Sequence, residues 1–304
     1  MRAALFHNVV TGPVDPFDRV LSRTTSDRFT QLVDQWTRQY DIVGWPEAMQ
    51  RRLAPTGRTP MHITFDDGFA GVFDHAFPIL EARGLVATVF VLTRAGAAIA
   101  PDHLLHFERL ELAFRQAASG SFDANWLGLG VLPLTTVADR VQSLRQVKRA
   151  LKQMPDRQRT AASGRVVAVL GVDVATLAIT HATEPRFRKL SADQITELLN
   201  AGWTIGGHTR SHPVLAAVDD DQLEYEIQGN ADDLVTAFGL KGIPFAYPFG
   251  GPGHVDARAQ AAVQRAGFAC AFTTTPGQND AQTDVFRLHR YSVTELQLDG
   301  FRRS

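Results

Sequence analysis

Three polar clusters in this chain each come directly after a short apolar run that reads as a β-strand. Asp66-Asp67 follows Met61 to Phe65, His208-x-x-x-His212 follows Trp203 to Gly207, and the turn Tyr247-Pro248-Phe249-Gly250 closes the run that starts at Ile243. Strands of this kind alternating with helical patterns imply a mostly parallel sheet, in which the C-terminal strand ends converge on one face where sites are built. Segments far apart in sequence can therefore meet in one pocket.

Around these clusters the βα rhythm is regular. Leu32, Val33, Trp36 and Tyr40 fall at helical spacing, and the short stretch Ile42-Val43-Gly44-Trp45, ended by Pro46, predicts a strand or turn. The pattern then predicts a strand at Met61–Phe65, a turn at Asp66-Asp67-Gly68, a helix over Val72–Arg83 with Gly84 as its cap, and a strand at Val86–Leu92. Residues 94–190 break the rhythm with long helical patterns at Asp102–Ala118 and Thr135–Met154, and predict a helical insertion within a single 1–304 domain. Alternation resumes with the capping box Ser191-Ala192-Asp193-Gln194 and a helix to Leu199. It continues with a helix marked by Leu223, Ile227, Leu234 and Phe238, one from Val255 to Arg265, and strands at Phe268–Thr273 and around Phe286–Val293. Six to eight strand units are a barrel number.

Composition narrows the class. The 304 residues are 44% hydrophobic and 21% charged, as in globular proteins, and 31 basic against 32 acidic residues give a net charge of −1. No overall positive field exists to hold nucleic acid. The one cysteine, Cys270, sits in an apolar run and reads as a buried hydrophobe, so no Cys-based metal site is available. The opening Met1 to Asn8 reads as a first strand rather than a signal peptide, and no run reaches the ~18 apolar residues of a membrane span, so a cytoplasmic protein is expected.

Two histidines four apart, joined by a carboxylate, make a set of three ligands that leaves positions open on a metal for water and substrate. His103-x-x-His106 has nearly the same look but lies within a helical pattern, where a surface pair is expected, whereas His208 follows a strand. Adjacent Asp66 and Asp67 would face opposite sides of a regular strand, so both can serve one site only if the chain turns, and Gly68 supplies the turn. Capping of the following helix is the alternative use of the pair. The residues themselves leave open which of the two would be a ligand.

Thr64-Phe65-Asp66-Asp67-Gly68 resembles the first motif of the polysaccharide deacetylases, the carbohydrate esterases with a NodB homology domain. Gly207-His208-Thr209-Arg210-Ser211-His212 resembles their second, Phe245-Ala246-Tyr247-Pro248-Phe249-Gly250 is similar to the third, and Leu5-Phe6-His7-Asn8-Val9 to the opening segment. The resemblance implies a distorted (β/α) barrel and a hydrolase that removes an acetyl group from an N-acetylated amino sugar of a glycan or glycoconjugate. It implies Asp67, His208 and His212 as ligands of a divalent metal, usually zinc, and Asp66 as general base. The third motif, Tyr247, Pro248 and Phe249, would then bind substrate, with the Phe249 N–H as donor to the oxyanion.

Two departures accompany the resemblance. Ala246 stands where many members carry an Arg that orients the base, as in a branch acting on surface or exported glycans, so another group must orient Asp66. The last motif places a His, the general acid, two residues after a Leu, whereas Leu288 and His289 are adjacent here, and a one-residue shift reverses the face presented. His289 is the candidate acid, against an ordinary strand-edge histidine. His7 is a candidate supporting group near the end of the first strand and His254 a candidate for the pocket mouth, whereas His62 is expected to face the barrel exterior and Phe69 and Phe73 to pack. Deformylation of a lipid-linked sugar, O-acetyl ester hydrolysis, and a catalytically silent glycan-binding role are the alternatives. In the insertion, Arg145, Lys148, Arg149 and Lys152 form a basic helix face, either solvated or a site for an anionic lipid carrier.

Overall fold

β1 (Arg2–Phe6) and β5 (Pro60–Phe65) run parallel along their whole length, pairing from Arg2 with Met61 to Phe6 with Phe65. In the computed structural model, which describes residues 1–13, 15–20, 22–54, 56–95, 104–118, 120–173, 184 and 186–292, this pair belongs to a curled parallel sheet. β6 (Thr88–Val91), β9 (Thr204–Gly207), β10 (Pro244–Ala246) and β11 (Cys270–Phe272) extend it on one side, and β12 (Tyr291–Ser292) on the other. β4 (Asp41–Ile42) pairs with the start of β5. Two ribbons stand apart, β2 (Asn8–Val10) with β3 (Arg23–Thr25) and β7 (Ser121–Asp123) with β8 (Val131–Pro133).

The segment 288–292 joins both edges of the sheet. Leu288 bridges Phe272, while Tyr291 and Ser292 pair with Ala4 and Leu5. The architecture is a distorted (β/α) barrel. Its helices are α1 (Ser26–Gln39), α2 (Trp45–Leu53), α3 (Phe77–Glu81), α4 (His106–Gln116), α5 (Val137–Lys152), α6 (Asp156–Val169), α7 (Ala192–Asn200), α8 (Asp220–Phe238) and α9 (Ala257–Arg265). Among the described residues no helix is long and apolar enough to cross a membrane.

Strand alternation divides the core in two. Ala4, Phe6, Met61, Ile63 and Phe65 point out toward the helices, packing with Phe29, Leu32, Val33 and Trp36 of α1 and with Ile195, Leu198 and Trp203. The opposite faces of the strands bring Ala3, Phe90, Ala246, Cys270, Phe272 and Leu288 into a second cluster with Ala48 of α2. His62 belongs to this inward face, contrary to its expected exterior place. It is fully buried with its ring 6.3 Å from that of Phe272, bonding Val43 O through Nδ1 and Thr88 Oγ1 through Nε2. Cys270 is buried as expected, takes a hydrogen bond from Trp45 Nε1, and burial pushes its thiol up to about 12.

Two elements differ from their sequence patterns for reasons that proline supplies. Pro46 opens α2 instead of ending a strand, because the first turn of a helix needs no N–H from that position. The helix expected over Val72–Arg83 is a π turn at Val72–Ala76 followed by α3. Pro78 cannot donate to the carbonyl four residues back, and the Phe77 N–H reaches Val72 O, one residue further than an α-helical bond. The last strand is shorter than expected, and Val293 lies outside the described residues, as does His103.

The chain divides into two compact units, one of residues 1–11, 24–100 and 189–304, which contains the barrel, and one of residues 12–23 and 101–188. The second unit packs α4, α5 and α6 around Leu110, Phe114, Leu144, Val147 and Val166. It takes in 12–23, which the sequence pattern did not assign to it, through ion pairs of Asp15 with Arg115 and of Arg23 with Glu111. Within the basic face of α5, Lys148 is engaged, donating to Val20 O and standing 5.4 Å from the Phe107 ring centre, while Arg145 and Arg149 are exposed.

Candidate active site

β5 ends at Phe65, and the turn that follows decides where its two acids go. Asp67 and Gly68 both take left-handed backbone, with φ of 68° and 61°. Asp tolerates that region better than most residues, and Gly without cost. A side chain on Gly68 would also stand 3.2 Å from Val91. The chain therefore turns at Asp67 itself, one residue earlier than Gly68 alone would turn it. Asp66 and Asp67 are both buried at the C-terminal end of the sheet.

β9 delivers the histidines. His208 and His212 approach Asp67 Oδ1 through their Nε2 atoms, each at 3.4 Å, and the three donor atoms lie within 4.8 Å of one another. A charge-assisted hydrogen bond would be nearer 2.8 Å, whereas donors sharing a tetrahedral zinc at about 2.0–2.1 Å stand roughly 3.3 Å apart. Asp67 Oδ1 and His208 Nε2 are buried and make no hydrogen bond, which suits groups directed at an ion. His208 Nδ1 donates to Ala246 O at 2.7 Å, and since a carbonyl only accepts, the lone pair of His208 is left on Nε2, facing Asp67. A hard carboxylate and two imidazoles fit a divalent metal ion, and these residues could hold one.

The electrostatics match that arrangement. Burial would raise the Asp67 carboxyl, but the imidazoles of His208, His212 and His7 hold it well below the usual carboxylate range. Burial would lower His208, and the carboxylates of Asp66 and Asp67 outweigh it, so that its value is raised.

Asp66 has a different partner. Arg290 is fully buried and grips it with two bonds, Nη1 to Oδ1 at 2.6 Å and Nη2 to Oδ2 at 2.8 Å. The guanidinium is itself fixed by Nε to Thr273 O and Nη1 to Thr64 Oγ1, and lies 5.5 and 5.9 Å from the ring centres of Phe90 and Phe272. Ala246 belongs to the same inward cluster as those two rings, and the arginine that grips Asp66 arrives from the segment ahead of β12 instead of from β10. Asp66 is thus oriented by Arg290, a residue not singled out from the sequence. Its signal was there: in extended chain it points the same way as the inward Leu288, just ahead of β12, while Ala246 lacks the expected arginine.

His289, between Leu288 and Arg290, faces away from them. It lines a cavity of about 410 Å³ with Thr273, Thr275, Asp280, Asp284 and Arg287, its ring packed on Gly277. The structure therefore does not bring His289 to Asp66, and the one-residue offset from the family spacing is the reason. His7 comes there instead. Asp66 N donates to Phe6 O, which sets His7 beside Asp66 at the strand ends. Burial lowers the imidazole of His7 against the pull of Asp67 and Asp66.

The third motif is split by the same alternation. The Tyr247 side chain is fully buried in the outer core with Phe245 and donates its hydroxyl to Phe286 O, so the phenol is not offered to a substrate. Phe249 turns to the site with a left-handed φ of 61°, its ring 4.8 Å from that of His212 and 5.8 Å from that of His254. Pro248 O accepts from Gly250 N and Phe249 O from Thr274 Oγ1, which pins this strained turn. Phe69 is buried under the ammonium of Lys189 and Phe73 stacks on Phe77, so both are packing residues.

The sequence pattern of a known family, described as polysaccharide deacetylase, matches residues 54–120 and 153–271. No curated protein matches the chain. Among solved structures, the deacetylase PplD of Streptococcus pyogenes in complex with acetate superposes with a TM-score of 0.58 at 17% identity, covering 96% of this chain and 92% of that one. IcaB from Ammonifex degensii gives 0.55 at 18% identity, over 96% and 91% of the two chains. The BpsB deacetylase domain from Bordetella bronchiseptica gives 0.55 at 13%, over 96% and 94%. These likenesses show a shared fold. With the family pattern running through more than half of its length, and through Asp66, Asp67, His208 and His212, the chain belongs to the polysaccharide deacetylase family and is a carbohydrate deacetylase.

Proposed function

We propose that the chain hydrolyses the acetamide of an N-acetylated amino sugar in a glycan or glycoconjugate, with a divalent metal, zinc for this donor set, held by Asp67, His208 and His212. The observation that carries the reading is the division of labour between adjacent acids: Asp67 faces two imidazoles, while Asp66, next to it at the strand end, is held through both oxygens by an arginine. Bound there, a divalent ion supplies Lewis acidity toward the acetamide carbonyl and acidifies water.

The chain's own groups account for the rest. Asp66, oriented by Arg290, takes the proton of the attacking water. Phe249 N–H is the donor to the oxyanion, and losing one such donor typically costs about 3 kcal/mol of transition-state stabilisation. His7, set beside Asp66, carries the proton to the departing amine in place of His289. The departure at Ala246, which had favoured a silent glycan-binding protein, is answered by Arg290. A single catalytic domain over 1–304 with an insertion at 94–190 is the organisation this reading takes.

The test is acetate release from acetylated amino-sugar oligomers, with and without chelator, alongside formylated and O-acetylated counterparts and a lipid-linked acceptor. Chelator-sensitive acetate production from the N-acetyl substrate is expected, with turnover abolished in Asp66→Asn while zinc still binds. A near-normal rate in Asp66→Asn removes Asp66 from the mechanism, and preference for the O-acetyl or formyl substrate changes the bond assigned.

A further inference from the structure

The loop between His208 and His212 is held by one face of α8. Within it, Thr209 and His212 are both left-handed, with φ of 70° and 61°, a conformation unfavourable for any residue but glycine and especially for β-branched Thr. Such a loop keeps its shape only if its surroundings impose it. Glu226 is completely buried and accepts from Arg210 N at 2.9 Å, Ser211 N at 2.8 Å, Ser211 Oγ and Gln222 Nε2. Four donors use the whole accepting capacity of a carboxylate.

Glu226 does not act from an arbitrary place. Asp219 caps α8 through Gln222 N and so fixes the register of the helix. Asn230 and Asp233 follow Glu226 at i+4 and i+7 on the same helical face. Asn230 donates to Thr209 O and to Thr93 Oγ1, and Asp233 takes two bonds of 2.8 Å from the Arg210 guanidinium. Gly229 is the residue that admits this approach, since a Cβ there would stand 2.4 Å from Arg210 Cζ. Thr209, Arg210 and Ser211 are each tied to α8, and the backbone amides of Arg210 and Ser211 both end on Glu226.

We propose that Glu226 is a positioning residue for the metal centre, setting the approach of His208 and His212 through the strained loop between them. The proposal rests on the reading of Asp67, His208 and His212 as ligands. Loss of its carboxylate leaves the Arg210 and Ser211 amides without their shared acceptor, and the loop relaxes from the shape that sets the two imidazoles 3.4 Å from Asp67.

The experiment measures zinc affinity of the metal-free full chain by competition with a chromophoric chelator, with melting temperature and deacetylation kinetics recorded beside it. Variants are Glu226→Gln, Glu226→Ala, His208→Ala, and Ile227→Val, a core change on the neighbouring apolar stripe of α8 that touches none of the loop bonds. The expected results are a loss of affinity of about 10- to 100-fold for Glu226→Ala and a smaller loss for the isosteric Glu226→Gln. At saturating zinc both should lower kcat more than they raise KM. Ile227→Val is expected to lower the melting temperature without changing zinc affinity, which separates positioning from general destabilisation. Wild-type affinity in Glu226→Gln and in any folded Glu226→Ala overturns the proposal while leaving the ligand set intact. Equal zinc binding by wild type and His208→Ala overturns the ligand set, and the proposal with it.

Discussion

Single side chains in this molecule show their roles through what they are paired with. Arg290→Met should leave the Asp66 carboxylate buried without a counter-ion, destabilising the fold by about 3–5 kcal/mol and removing most activity. Urea unfolding and initial rates check both, and Arg290→Lys is not expected to restore activity, because an ammonium cannot make the two-point grip. His7→Ala should reduce kcat on the order of 10²-fold, whereas His289→Ala should change it less than about 3-fold; the reverse ranking returns the proton-carrying role to His289. His62 gives a pH signature. Burial pulls it to about 4 from 6.5, so the folded state binds fewer protons than the unfolded state between those values. Stability held above pH 6.5 is then lost as pH falls toward 4, by up to roughly 3 kcal/mol. His62→Gln should flatten that slope in urea titrations across this window.

Elements are where reading the sequence went furthest and where proline and alternation limited it. The strands at Met61–Phe65 and Trp203–Gly207 were legible because a polar cluster ends each apolar run, and the α8 stripe of Leu223, Ile227 and Leu234 was legible from its spacing. The adjacent polar stripe of the same helix, Glu226, Asn230 and Asp233, is also at helical spacing, but its purpose depended on a loop whose path only the fold reveals. Short strands also hide which face each residue takes. Tyr247 looked like part of a substrate-binding turn, yet, directly after a three-residue strand, it falls on the outer face, bonded to Phe286 O. Tyr247→Phe should therefore cost about 1 kcal/mol of stability and leave KM for the sugar substrate unchanged, as steady-state kinetics would show.

At the level of the molecule, the parallel sheet and its site-bearing end followed from the alternation of strands and helices. The membership of residues 12–23 in the second unit did not, because it depends on ion pairs between segments about 100 residues apart. If the ligand set holds an ion, zinc at a hundred times its Kd adds about 2.7 kcal/mol of stability, equivalent to roughly 5 °C in melting temperature for a chain of this size. Calorimetry with and without chelator should show that shift in wild type and none in His208→Ala. The segment 288–292 has one more consequence. It fills the seam between β11 and β1, and it also carries the guanidinium that grips Asp66, 224 positions along the chain. If Asp66 serves as proposed, a partly opened chain can shape most of the ring and still be chemically mute, since the acid gains its counterweight only when the final stave is seated. A lesion that loosens this stave should therefore cost turnover and stability together.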